Sequence, residues 1–266
     1  MKRRQLLTGL GVSLGSLVGH SLSLEEAIAA PAKSLQSLRW GYIGDNSPDH
    51  WHELSDQYQV CQAGQRQSPI NIADLDTTNA RKIGFFDGTS DQLNFRYGPV
   101  NLDVFDAGYT LQANVGAGLY LELGGDRYDL KQFHFHTPSE HQIASQTTAM
   151  ELHLVHRNTN GQFVVVALLV EENTNKSGRG MSDFEKDLEP VWGFFKDPQR
   201  QVIPSVHLAK LLPSDRHFYR YAGSLTTPPC SETVEWVIFQ TPVTLSTERL
   251  AQYKMRFRNN ARPLQG

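Results

Sequence analysis

From about residue 90 to residue 240, apolar and polar positions alternate with a period of two in short runs. Such alternation places one face of an extended segment in a core and the other outward. It predicts strands over 93–97, 102–105, 109–113, 119–123, 128–136, 150–156, 163–170 and 234–239. Gly116-Ala117-Gly118, Gly124-Gly125-Asp126 and Asn158-Thr159-Asn160-Gly161 supply turns between them. Gaps of hairpin length imply mostly antiparallel pairing. Residues 164–170 are almost wholly apolar, which predicts a strand buried on both faces. Helical signals are few. Ser182-Asp183-Phe184-Glu185 is a capping box opening a short helix toward Trp192, and Ser246 or Thr247 starts another through Phe257. The polar, glycine-containing stretch 173–180 reads as a surface loop. With no internal repeat and no long linker, the expectation is one domain. It is mainly β with a few short helices, built on a large, mostly antiparallel, twisted central sheet, so chemistry belongs on the sheet.

Composition adds limits. The 266 residues are 39% hydrophobic and 20% charged, with a net charge of −3, as in ordinary globular proteins. No basic cluster lies beyond the N-terminus, so nucleic acid and an anionic membrane are not expected partners. Lys2-Arg3-Arg4, an apolar stretch over 6–19, and Ala29-Ala30-Pro31-Ala32 follow the order of a secretory signal peptide. The expected division is therefore a signal peptide over 1–30 and a folded domain over 31–266. The Arg3-Arg4 pair resembles a twin-arginine signal, although no Ser or Thr precedes it. An uncleaved N-terminal anchor is the alternative. Export to the periplasm or the extracellular space bears on Cys61 and Cys230, the only cysteines. An oxidising compartment favours pairing them, and closing so long a loop is worth about 5 kcal/mol in the chain-entropy account. Two buried thiols are the other reading.

Gln132-Phe133-His134-Phe135-His136 and Glu151-Leu152-His153 carry the most specific chemistry. On a strand, His134 and His136 share one face and Phe133 and Phe135 the other. If the following strand pairs with this one, His153 joins them. Three neutral imidazoles with one open position describe a catalytic zinc site, because the fourth position holds an ionisable water. Gln132 and Glu151 each stand two residues before a histidine on the same face, where they can orient the rings. A lone His-x-His on a strand more often just hydrogen-bonds; the third histidine and the two outer acceptors favour the metal. Leu225-Thr226-Thr227-Pro228-Pro229-Cys230 forms a rigid loop. It is either a structural turn or an overhang that brings a threonine hydroxyl to the metal, with Glu140 as the carboxylate behind it.

These segments, with Ser139-Glu140-His141, Trp40-Gly41-Tyr42, Gln67-Ser68-Pro69-Ile70, Asn260 and Arg262-Pro263, resemble the signatures of the alpha-class carbonic anhydrases from about residue 39 to 265. The resemblance implies a zinc lyase (carbonate dehydratase) in which zinc-bound hydroxide attacks carbon dioxide to give bicarbonate and a proton. It implies His134, His136 and His153 as zinc ligands, with Gln132 and Glu151 orienting the first and third. Thr226, linked to Glu140, would admit only protonated ligand atoms, and Thr227 would help hold bicarbonate. Val155, Val165, Leu225 and Trp236 would form the apolar wall for carbon dioxide, and Tyr42 would order water. The resemblance also implies a Cys61–Cys230 disulfide, sulfonamide and anion inhibitors, and a monomer or homodimer. His141 and His156 read as structural, turned away from the ligands.

One segment departs from the family pattern. In Asp106-Ala107-Gly108-Tyr109-Thr110-Leu111-Gln112, Tyr109 occupies the place of a proton-shuttling histidine, and Ala107 and Gln112 replace asparagines. A phenol exchanges protons poorly near neutrality, so proton transfer is expected to limit turnover. The competing readings are a non-catalytic relative that binds without turnover, against which all three ligand histidines, Glu140 and Thr226 stand, and an exported zinc esterase, for which no His-Glu-x-x-His helix exists.

Overall fold

The alternating runs fold as strands and pair in the expected sense. The computed structural model describes residues 40–72, 84–86, 93–174 and 181–266, which lie in one compact unit, Arg39–Gly266. The leader expected over 1–30 lies outside the described residues, as does the 175–180 part of the expected surface loop. The strands are β1 (Asn71–Ile72), β2 (Gly84–Phe86), β3 (Leu93–Arg96), β4 (Pro99–Asp106), β5 (Leu111–Val115), β6 (Tyr120–Leu123) and β7 (Asp126–His136). They continue with β8 (Gln142–Ile143), β9 (Met150–Arg157), β10 (Phe163–Asn173), β11 (Gln201–His207), β12 (Phe218–Gly223), β13 (Val234–Phe239) and β14 (Val243–Ser246).

Among the described residues, twelve strands form one sheet whose main path runs β11-β4-β5-β7-β9-β10-β13-β12-β2; β14 joins β10, and β6 joins β3 to β7. Within it only the β10–β13 and β10–β14 pairs are parallel. A separate two-stranded sheet pairs β1 with β8. Strand β10 is central, and Phe163 through Val170 are all buried, as the unbroken apolar run requires. The edge strand β11 gave no clear alternation. Pro204 interrupts it, Ser205 adopts φ 54°, and its pairing with β4 shifts between Ile203 and Val206. An edge tolerates such breaks because no neighbour needs the missing N–H.

The period of two sorts the side chains between faces. Phe133, Leu154, Val166 and Val237 follow one another across paired strands and belong to the main core. The alternate positions, including His134 and His153, face the other side. Both expected helices form. Helix α3 (Asp183–Trp192) is capped by the Ser182 side chain, which accepts from the Glu185 N–H. Helix α4 (Thr247–Arg256) follows Ser246, whose hydroxyl instead donates to the Glu185 carboxylate at 2.6 Å. Two single-turn helices, α1 (Trp51–Leu54) and α2 (Val60–Ala63), were not foreseen. They form around Trp51, which is fully buried and donates its indole N–H to the carbonyls of Gly41 (2.8 Å) and Asn46 (3.0 Å). Cys61 on α2 is bonded to Cys230. Among the described residues no helix is long and apolar enough to cross a membrane.

Candidate metal centre

In the β7–β9 register His134 lies opposite His153, and His136 opposite Glu151. Ring centroids stand 5.3 Å apart for His134 and His153, 5.0 Å for His134 and His136, and 4.5 Å for His136 and His153. One nitrogen from each ring lies within 4.8 Å of the others. The second nitrogen of each ring is turned to an oxygen. His134 Nδ1 meets Gln132 Oε1 at 2.8 Å, His153 Nε2 meets Glu151 Oε1 at 2.7 Å, and His136 Nδ1 meets the Asn260 carbonyl at 2.6 Å. An oxygen that only accepts fixes the proton on that nitrogen and leaves the other as a lone pair. His136 Nε2 is such a lone pair: it is buried and has no partner. A buried, unpartnered imidazole nitrogen among two others is a donor set that fits zinc. Burial, the largest cause in each ring, holds His134 well below its ordinary value, lowers His153, and brings His136 down to about 4. All three are therefore neutral at pH 7, as metal ligation requires.

Glu151 is the hinge of the surrounding polar network. Its Oε2 accepts from the backbone N–H groups of Glu140 and His141, both at 2.8 Å. Burial pushes its pKa up, but the pull of His141 and His153 outweighs that and holds the carboxyl well below the usual range. His141 joins this network. It meets Glu151 Oε1 through Nδ1 and the Tyr221 hydroxyl through Nε2, each at 2.7 Å. The expectation that His141 turns away from the ligands is corrected here: it is structural, but it shares a carboxylate oxygen with His153. His156 does face the opposite side, where its Nε2 meets the Tyr97 hydroxyl at 2.6 Å.

Glu140 is buried, with Oε1 accepting the Arg262 N–H at 2.8 Å and 3.4 Å from His136 Nδ1. Burial raises its pKa to about 7; the pull of His153 and hydrogen bonding from Arg262 and Thr226 offset only part of that rise. Its Oε2 has no partner of good hydrogen-bond geometry. The Thr226 loop joins β12 to β13. Cys230 N–H donates to the Thr227 carbonyl at 2.9 Å and Leu225 N–H to the Ser231 carbonyl at 3.1 Å, while Trp236 donates to the Ser224 carbonyl at 3.0 Å. Thr226 is buried, and Leu225 and Thr227 are half-buried. Val155, Val165 and Trp236 occupy one row across β9, β10 and β13. The Trp236 ring lies 4.9 Å from that of His153, so the apolar row adjoins the imidazoles. On the opposite flank, β5 brings Gln112 beside His134 and Asn114 beside Gln132, and Gln112 donates to Asn114 at 2.8 Å.

A family model described as eukaryotic-type carbonic anhydrase matches residues 46–265. The chain belongs to the alpha-class carbonic anhydrases. It is 35% identical over 269 residues to a carbonic anhydrase of Nostoc sp., covering 99% of this chain and 94% of that one. It is 37% identical over 205 residues to a carbonic anhydrase of Neisseria gonorrhoeae, covering 76% and 74%. Among solved structures it resembles the alpha-carbonic anhydrase of Thermovibrio ammonificans in complex with the inhibitor sulfanilamide. That match has a TM-score of 0.74 and 34% identity and covers 85% of this chain and 95% of the other. Dioscorin complexed with ascorbate is similar as well, at a TM-score of 0.72 and 30% identity, covering 85% and 93%. With the alpha-carbonic-anhydrase family comes the enzyme class, carbonate dehydratase.

Within this carbonic anhydrase frame the two tyrosines singled out from the sequence sit in an aromatic cluster. The Tyr109 ring lies 4.5 Å from Trp40 and 6.5 Å from Tyr42. Burial pushes the Tyr109 phenol up to about 12. Burial, then Glu140 and Tyr109, place Tyr42 well above its ordinary value, and its buried hydroxyl has no partner. Sequence reasoning missed the Asn260 carbonyl behind His136. A backbone oxygen leaves no mark in side-chain identity, and only the resemblance pointed to that residue.

Proposed function

We propose that this enzyme hydrates carbon dioxide reversibly to bicarbonate and a proton, with one zinc held by His134, His136 and His153. The observation that carries this reading is the buried lone pair of His136 beside two further imidazole nitrogens, each ring oriented from behind by an oxygen. When bound there, zinc supplies a water ionised near pH 7, as it does in carbonic anhydrases themselves. Gln132, Glu151 and the Asn260 carbonyl keep the ligand nitrogens deprotonated and aimed. Thr226 donates its hydroxyl hydrogen bond to Glu140, so towards the metal its oxygen only accepts, and an atom placed beside it must bear a proton. Thr227 helps hold bicarbonate. Val155, Val165, Leu225 and Trp236 exclude water from the side where the uncharged, linear substrate waits. Tyr42 orders water on the polar side. Tyr109 does not carry the proton away, and proton transfer to buffer limits turnover. Residues 1–30 act as an export signal and 31–266 as the enzyme domain, in keeping with a disulfide between Cys61 and Cys230.

Stopped-flow hydration on metal-analysed protein tests the reading. Activity should rise in proportion to bound zinc and vanish when a sulfonamide is added in slight excess. Zinc-replete protein that leaves carbon dioxide unhydrated would sink it.

A further inference from the structure

Among the described residues, Arg262 is the only lysine or arginine that is buried. A buried guanidinium normally pairs with a carboxylate. This one turns to neutral oxygens instead. Nη1 donates to the Gln67 side chain at 2.9 Å and to the Ser68 carbonyl at 2.8 Å, and Nη2 donates to the Cys61 carbonyl at 2.7 Å. The Trp51 ring lies 5.6 Å away. All of these groups belong to the segment that carries α1, α2 and the disulfide. The planar fork fixes direction as well as distance, which an ammonium cannot do.

The backbone around Arg262 faces the other way, into the metal centre. Its own N–H donates to Glu140 Oε1 at 2.8 Å. Two residues earlier the Asn260 carbonyl takes His136 Nδ1 at 2.6 Å. The Asn260 side chain accepts from Thr137 N–H at 2.8 Å and donates to the carbonyls of Phe135 (2.8 Å) and Tyr109 (2.9 Å) and to the Tyr253 hydroxyl (3.1 Å). Residues 260–262 thus form a strap that supplies one partner to a ligand histidine and one to the gate carboxylate. Strand pairing holds His134 and His153 without it; Glu140 lies outside any strand and depends on the strap.

We propose that Arg262 is a positioning residue for the hydration reaction, anchoring the 260–262 strap to Cys61, Gln67 and Ser68 so that Glu140 keeps the Thr226 hydroxyl in its accepting orientation. The proposal rests on the reading of Glu140 and Thr226 given above. Loss of the anchor frees Glu140 to turn, and Thr226 then donates to whatever lies beside the metal. Ligands that bring a proton lose their advantage over anions that bring none.

The test compares wild type, Arg262→Met, Arg262→Lys and Glu140→Gln, all loaded with zinc and checked by elemental analysis. The readout is the ratio of dissociation constants for thiocyanate and for a simple aromatic sulfonamide, alongside hydration kinetics and thermal midpoints. Arg262→Met should lower that ratio about 10- to 100-fold, the range for losing one hydrogen bond to a charged group. Glu140→Gln should lower it as well, and Arg262→Lys should fall between the Met variant and wild type. A merely structural role would move the thermal midpoint and leave the ratio alone, and that result overturns the proposal. If the Met variant yields no folded protein, the Lys variant decides, and an unchanged ratio there overturns the proposal. If Glu140→Gln itself leaves the ratio unchanged, the gate reading fails and this proposal falls with it.

Discussion

Replacing Tyr109 with histidine should make this a faster enzyme in dilute buffer. The pKa of the Tyr109 phenol stands at about 12, five pH units above neutrality, so about one phenol in 10⁵ is ionised at pH 7. At about 1.36 kcal/mol per pH unit, preparing that phenolate as proton acceptor costs about 7 kcal/mol. A histidine near its usual pKa of about 6.5 is mostly unprotonated at pH 7 and accepts at almost no such cost. A well-placed acid–base group contributes at least on the order of 10²-fold, which sets the expected gain in kcat for Tyr109→His in about 1 mM of a bulky, poorly penetrating buffer. Wild type should instead respond to added imidazole, its kcat rising and saturating while kcat/KM stays level, because only the proton step depends on the acceptor. Stopped-flow measurement with a pH indicator separates the two. Equal turnover of both proteins in dilute buffer, with no response of wild type to imidazole, would refute the reasoning.

Three further outcomes follow from the geometry. Glu151→Gln leaves one oxygen where His141, His153 and two backbone N–H groups now converge on two, so zinc affinity should fall about 10- to 100-fold, read by competition with a chromogenic chelator. Gly223 has no room for a side chain: an added Cβ would lie 2.3 Å from Ser68 Oγ, 2.7 Å from the Tyr221 ring and 2.9 Å from the Trp236 ring. Gly223→Ala should therefore lower stability by about 1–3 kcal/mol, and a urea midpoint equal to that of wild type would contradict it. His156 is held at about 3 by burial, so the unfolded chain takes up a proton that the folded one refuses. That contribution is whole above the ordinary histidine value near 6.5, and it declines by about 1.4 kcal/mol per pH unit as pH falls toward 3. Between pH 6 and 4, the His156→Gln variant should show a flatter dependence of its urea midpoint on pH than wild type.

Much of this molecule could be read from residue order, and the limits have physical causes. The strands around the metal centre announced themselves because one face is core and the other is site, so the alternation of Phe133, His134, Phe135 and His136 survives in the sequence. Val164 through Val170 announced burial on both faces by losing alternation altogether. Strands β1, β2 and β8 are two or three residues long, too short for any period, and β11 is broken by Pro204 on a tolerant edge. The helices near Trp51 depend on a single buried indole rather than on local preference. Within the site, side-chain partners such as Gln132 and Glu151 were legible because parity puts them beside their histidines. The Asn260 carbonyl and the Arg262 N–H were not, because a main-chain group is common to every residue and only the fold places it 124 and 122 positions away from its partner.

The pairing of β7 with β9 slips between Leu130 and Gln132, leaving Lys131 without an opposite residue. Leu130 lies opposite His156 and packs in the core, whereas Gln132, of the same parity, lies opposite Val155 beside the imidazoles. Both faces of one continuous strand are thus assigned by a count. The bulge at Lys131 absorbs the extra residue, so losing it would leave both ends on the faces they now occupy. Losing Phe133 or Phe135 from the regular stretch beyond it would put the strand out of phase, and one end would have to invert, trading greasy rings for imidazoles on the wrong side. The convergence of the three imidazoles is written in spacing as firmly as in residue kind, and a missing codon there would do more harm than most exchanged letters.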